Sequence, residues 1–178
     1  GGFTKTGNGT LVLTAKNTFT GNVTLSEGGI MLGDGNARVV DREVVTALSG
    51  NANQELTLAE GTSFGVNFSD DATFGDIVGD EGFVKGAGTF MKKGDGTLTL
   101  EHESQLDTQA VNIEGGTLAV TGDVDLRYSE AVDSDPQAAN YAPTTVTIGS
   151  GATFEMAYND GKTHRVDYNV SGTGNFVK

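Results

Sequence analysis

The feature that most constrains this chain is that it repeats itself at a spacing near 87 residues. The string Gly2, Phe3, Thr4, Lys5, Thr6, Gly7, Asn8, Gly9, Thr10, Leu11, Val12, Leu13 returns as Thr89, Phe90, Met91, Lys92, Lys93, Gly94, Asp95, Gly96, Thr97, Leu98, Thr99, Leu100. A third copy opens at Asn175, Phe176, Val177 and Lys178, 86 residues after Phe90. Between these anchors, residues 23–30 answer to 111–118, and 56–64 to 146–154. Repeats of this length signal a stacked array, in which each unit buries its apolar face against its neighbours. The expected organisation is one domain over 1–178. Its first unit spans about 2–88, its second about 89–174, and a third begins at 175–178. The chain opens on Gly1 rather than Met, and it reads as a length cut from something longer.

Within each unit, short runs alternate apolar and polar residues and end on glycine. Thr10 to Thr14, Val23 to Leu25 and Thr97 to Leu100 place Leu or Val on one face and Thr on the other. Period two is the signature of a strand with one buried face. The 27 glycines, against only 2 prolines, supply the sharp corners between such runs. Helical patterns are almost absent; the best candidate, 39–48, is read as one short helix or a loop. Three strands of about five residues plus corners need roughly 20–25 residues, so a unit makes about three to four rungs. Rungs about 4.8 Å apart would give a rod of about 35 Å. Asn8-Gly9 and Asp95-Gly96 are also hairpin signals, so an antiparallel sheet competes with the coil. Repetition at long period favours the coil.

Alternation then assigns Leu11, Leu13, Val23, Leu25, Leu98, Leu100, Val111 and Ile113 to one inward apolar ladder. If the units stack by simple translation, 3–13 should superpose on 90–100.

The repeat has a familiar wording. F-x-K-x-G-x-G-T-L-x-L over 3–13, then N-T-F-T-G-N-V-T-L-S-E-G-G over 17–29, then L-T-L-x-E-G-T over 56–62, resembles the passenger-associated transport repeat of bacterial autotransporters. The second unit follows it at 90–100, 111–116 and 146–153, and departs from it at 104–108. The resemblance implies an all-β, right-handed, single-stranded parallel β-helix with two long loop insertions. It implies an extracellular place on the surface of a Gram-negative bacterium, anchored through a C-terminal barrel that lies outside this sequence. It also implies an adhesin, or the stalk that presents adhesive loops. Scarce cysteine is in keeping with that family.

Charge and composition exclude several roles. Asp plus Glu number 24 against 11 Lys plus Arg, a formal net charge of −13. Such a chain repels phosphate backbones and anionic lipid, so neither nucleic acid nor direct membrane insertion is expected. Without cysteine there are no disulfides and no thiolate metal sites. The two histidines, His102 and His164, are far apart, and His102 between Glu101 and Glu103 reads as an exposed polar residue. Gly33, Asp34, Gly35 and Asn36 look like part of a calcium loop but lack the ligand count and the distal Glu. No catalytic residue, no metal site and no cofactor is expected. A polysaccharide-cleaving β-helix would need Asp, Lys and Arg clustered on one strand face, yet Arg occurs only at 38, 42, 127 and 165.

Two stretches escape the strand grammar, 33–54 and 122–144. They fill the same slot of their units, so both are expected to leave the coil at the same corner, about four rungs apart. Long irregular loops are often functional. The second carries Asp123, Asp125, Glu130, Asp133 and Asp135 together with Tyr128 and Tyr141, a set suited to a basic or sugar-like surface. The expected partner is a host-cell or extracellular ligand, protein or glycan, or a second copy of the chain in cell–cell aggregation.

Overall fold

The computed structural model describes residues 1–40, 43–44, 48, 54–79, 82–101, 106–121, 124, 126–128, 142–158, 161–163 and 168–178. Strands dominate it, and those that form the stack pair in parallel. They fall into three columns, each a face of one coil. The first face holds Phe3–Lys5, Val23–Leu25, Glu55–Leu58 and the leading ends of Phe83–Lys93 and Leu106–Ile113. The second holds Thr10–Leu13, Gly29–Leu32, Ser63–Asn67, the trailing ends of Phe83–Lys93 and Leu106–Ile113, then Thr145–Ile148 and Asn169–Gly172. The third holds Ala72–Thr73, Thr97–Leu100, Thr117–Val120, Thr153–Met156 and Asn175–Val177. The chain is thus a parallel β-helix of seven turns on its longest face. The competing antiparallel sheet is ruled out for the stack, because Asn8-Gly9 and Asp95-Gly96 are corners between faces rather than hairpin turns.

Alternation does what it should. Along Phe83–Lys93, buried and part-exposed residues alternate, and the inward set includes Val84 and Phe90. Register stacks like on like: Val23, Leu56, Val84 and Leu106 on the first face, Ile30, Phe64, Phe90, Val111 and Val146 on the second. Rings meet along the axis, with Phe90 6.0 Å from Phe64 and 5.8 Å from Phe74. Of the eight residues assigned to the inward ladder, Val23, Leu25, Leu98, Leu100, Val111 and Ile113 are buried. Leu11 is 38% exposed, and Leu13 is only partly buried. Both face the interior in register with Ile30 and Leu32, on the strand that pairs with theirs within residues 1–178. Phe176, which pairs with Phe154, is 52% exposed within residues 1–178.

The simple translation expected from the repeat does not occur. Phe3 lies on the first face, paired with Val23. Its counterpart Phe90 lies on the second, paired with Phe64 and Val111, and Phe176 lies on the third, paired with Phe154. The other matched strands shift likewise: Leu56 is on the first face and Val146 on the second, Ser63 on the second and Thr153 on the third. The cause is arithmetic. Three turns carry Phe3 only as far as Val84, through Val23 and Leu56, and the remaining residues of the repeat cross the next corner to Phe90. Each unit therefore winds three turns and one further face.

The insertions follow this screw. Residues 33–54 take the place of a third-face strand between Gly29–Leu32 and Glu55–Leu58, whereas 122–144 take the place of a first-face strand between Thr117–Val120 and Thr145–Ile148. They leave from different faces, about 16 Å apart along the axis, and not from one corner as the shared repeat slot suggested. The helix-or-loop candidate at 39–48 is neither over its described part: Val39–Val40 and Glu43–Val44 pair as short antiparallel strands. Among the described residues the helix is a single turn, Gly75–Val78, which buries Ile77 and Val78. Asp76 Oδ2 accepts from Thr73 N at 2.9 Å and Thr73 Oγ1 accepts from Asp76 N at 3.2 Å, closing its first turn reciprocally.

Candidate functional site

The repeat's most specific string builds the same device twice. In F-x-K the lysine stands two residues after the phenylalanine, so alternation turns both toward the interior. At the end of the strand the lysine can reach only the corner, where the backbone turns and its carbonyls lack ladder partners. Lys5 Nζ donates to Thr6 O at 2.9 Å, Gly7 O at 2.6 Å and, one turn on, Glu27 O at 3.3 Å. Lys92 Nζ donates to Lys93 O at 2.8 Å, Gly94 O at 2.9 Å and Gly115 O at 3.2 Å. Each ammonium fills its three donors with three carbonyls and ties one corner to the corner stacked on it. Glycine makes the close approach possible. A Cβ on Gly28 would lie 2.5 Å from Gly7 O, and one on Gly116 would lie 2.5 Å from Gly94 O, both at positive φ.

Lys92 is 3% exposed. Burial lowers its pKa from the ordinary 10.5 to about 8, partly opposed by the nearby charges of Asp95 and Asp71. It remains an ammonium at neutral pH and its hydrogens are all directed at carbonyls, so it is a staple and not a nucleophile. Sequence reading passed over this lysine; the signal was its parity with Phe90, which puts a charge on the buried face.

Other charges on the stack are also paired. Lys85 Nζ meets Glu55 Oε1 at 2.7 Å and lies 5.4 Å from the ring centre of Phe83; Lys93 Nζ meets Glu114 Oε2 at 2.8 Å. These are outward ties between adjacent turns. Arg38, at the start of the first insertion, is 4% exposed; its N–H donates to Asp70 Oδ1 at 2.7 Å and its Nη2 lies 3.5 Å from Asp76 Oδ2. The calcium-like string is used locally: Asp34 Oδ1 accepts from Asn36 N and Asn36 Nδ2. Among the described residues no three His, Cys, Asp or Glu come together as metal ligands, and no helix is long and apolar enough to cross a membrane.

The second insertion has a built neck. Val124 and Leu126 are buried in the core. Tyr158 Oη donates to Val124 O at 3.2 Å, and Thr144 Oγ1 donates to Thr108 O at 2.9 Å. Between these anchors Arg127–Tyr128 and Ala142–Pro143 pair antiparallel. Tyr128, one of the residues singled out from the sequence, is therefore at the neck and half-buried. Asp123, Asp125, Glu130, Asp133, Asp135 and Tyr141 lie outside the described residues, as do His102, His164, Arg42 and Arg165.

Comparison with known proteins agrees with this architecture. The family model of the passenger-associated-transport-repeat matches residues 3–31, the stretch that contains the first lysine corner. The chain is 30% identical over 225 residues to the protein described as "Adhesin BmaC autotransporter" from Brucella suis biovar 1 (strain 1330); the match covers 99% of this chain and 6% of that relative. No solved structure matches significantly. The lysine corner within the matched repeat recurs in the second unit with the same partners, and the relative is an autotransporter aligned along almost the whole chain. Residues 3–31 match the passenger-associated transport repeat and nearly the whole chain aligns with part of an autotransporter; together these support an autotransporter passenger with repeats, placed outside the cell at the cell surface.

Proposed function

We propose that this stretch is a non-catalytic adhesive scaffold, a stiff coil that holds the second insertion away from its own surface toward a cationic partner. The observation that carries the reading is the neck: buried Val124 and Leu126 fix the way out, and the strand pair Arg127–Tyr128 with Ala142–Pro143 closes it. A loop so anchored is presented in a defined direction at little cost to the stack. Its acids, Asp123, Asp125, Glu130, Asp133 and Asp135, favour a basic protein or glycan surface. Tyr128 and Tyr141 would add contact area at low entropy cost. The aligned relative is named as an adhesin, which supports the same role. A binding rather than a catalytic role is also supported by the engagement of the described lysines at 85, 92 and 93 in ion pairs and carbonyl bonds.

The test is replacement of residues 129–141 by a short Gly/Ser turn joining Tyr128 to Ala142, with Val124, Leu126 and Thr144 retained. It is made in the whole parent protein displayed on bacteria. Adhesion to host cells should be lost while the β-rich circular dichroism is unchanged. Undiminished adhesion would make this stretch plain stalk. Loss of bacterial clumping with adhesion intact would instead identify contact between rods.

A further inference from the structure

We propose that Met31 and Met91 are oxidation sites, at which a peroxide outside the cell turns an apolar part of the second face polar without disturbing the coil. The chain holds three methionines. Alternation sends Met31 outward between buried Ile30 and Leu32, and Met91 outward between buried Phe90 and Lys92; both are part-exposed. Each lies on a strand with a paired strand on either side, so this exposure belongs to the face and not to an end of the stack. The two stand in one column, on either side of Gly65, with their backbones about 10 Å apart. Gly65 makes the arrangement possible. A Cβ there would lie 2.7 Å from Met31 Cε, 3.0 Å from Met31 Sδ and 3.1 Å from Met91 Cβ. Met31 therefore lays its thioether across the glycine and buries it, while its own outer side meets water. Beyond Met91 the same column continues in polar residues, Asn112, Thr147 and Ser171.

Met156 is the contrast. It is 6% exposed, and Tyr168 Oη donates to its Sδ at 3.7 Å, so a sulfur lone pair is already engaged. Oxidation needs a free lone pair and a path to it. The sulfur of Met31 or Met91 attacks one oxygen of hydrogen peroxide; the S–O bond forms and the O–O bond breaks. The proton on the transferred oxygen passes to the leaving oxygen, which departs as water. The sulfur gives up two electrons and the peroxide takes them. The product is a sulfoxide, a polar group in place of an apolar one. On this face it meets solvent rather than the core, and the inward residues on the same strands, Ile30, Phe64 and Phe90, keep their packing.

The experiment treats the folded 178-residue chain with hydrogen peroxide and follows its peptides by mass spectrometry. The peptides holding Met31 and Met91 should each gain one oxygen several-fold faster than the peptide holding Met156. The urea midpoint should not move once both are converted. Gly65→Ala should speed the conversion of Met31 several-fold and leave that of Met91 nearly unchanged, because the new methyl displaces the flexible end of Met31 from the face. Met31→Leu, which keeps the glycine, should take up one oxygen quickly where the parent takes two. Conversion of Met156 in the folded parent as fast as that of the other two would overturn the proposal. So would a urea midpoint that falls as the first two oxygens are added, or two rapid additions in Met31→Leu.

Discussion

The corner at Lys5 and the corner at Lys92 are written in nearly the same residues and make the same three carbonyl bonds, yet they live in different surroundings. Beneath Lys92 lie further turns: a Cβ on Gly96 would meet Asp70 O at 2.0 Å, and Phe90 is fully buried between Phe64 and Phe74. At Lys5, within residues 1–178, the corner packs against the turn that carries Glu27, and Phe3 is half-buried against Phe19, 5.2 Å away. Local geometry therefore belongs to the motif, while burial and its energy belong to the position in the stack. In a solenoid these separate cleanly, because every turn touches only its neighbours.

The largest expected effect sharpens that contrast. Phe90→Ala should cost about 3–5 kcal/mol, since it empties a packed site. Phe3→Ala should cost only about 1–2 kcal/mol, since its ring is partly in water already. Urea midpoints of the two variants measure the difference, and equal losses would break the comparison.

Next is the pH dependence carried by Lys92. Its native pKa of about 8 lies below the ordinary 10.5 of the unfolded chain, so between those values the unfolded state binds more protons. The contribution of this group to stability must then rise with pH, by at most about 3 kcal/mol, and be complete above the unfolded pKa. Lys92→Met should remove the rise. Unfolding free energies from pH 7 to pH 11 for parent and variant supply the check; a stability difference that stays flat contradicts the burial of the ammonium.

At neutral pH the staple itself should be worth less. Lys92→Met leaves three carbonyls at a half-buried corner without their ammonium, for a loss of about 1–3 kcal/mol. Lys5→Met, whose carbonyls water can reach, should lose under about 1 kcal/mol. Smallest of all is the effect expected at the outward ion pair: Lys85→Ala should change stability by about 0–1 kcal/mol, because both side chains keep part of their surface in water.

Much of the architecture was legible before any coordinates. Period-two alternation marked the strands at Thr97–Leu100 and Leu106–Ile113, and glycine pairs marked the corners. The direction of the insertions was not legible. Residues 33–54 and 122–144 share a slot in the repeat, but the repeat length is not a whole number of turns, and sequence spacing alone does not say how many residues a turn consumes. Leu11 was assigned correctly to a face but not to burial, since alternation carries no information about what lies on the neighbouring turn. The lysine staple was overlooked because a charged residue is ordinarily read as solvated; its parity with Phe90 pointed inward. The short helix Gly75–Val78 has no amphipathic length to reveal it, and only the Thr73 and Asp76 pair hints at its start.

The central claim is that each repeat advances the coil by one face, and cysteine pairs test it directly because the native chain contains none. On the present winding Thr57 and Lys85 are neighbours in register on the outside of the first face, whereas Met91 sits beside Gly65 on the second. If the repeat instead stacked by translation alone, Phe90 would take the place of Val84 over Leu56, and Met91 would stand next to Thr57. The variant Thr57→Cys/Lys85→Cys should form its disulfide rapidly under mild oxidation, and Thr57→Cys/Met91→Cys should remain reduced. Oxidation of the second pair and not the first would contradict the account.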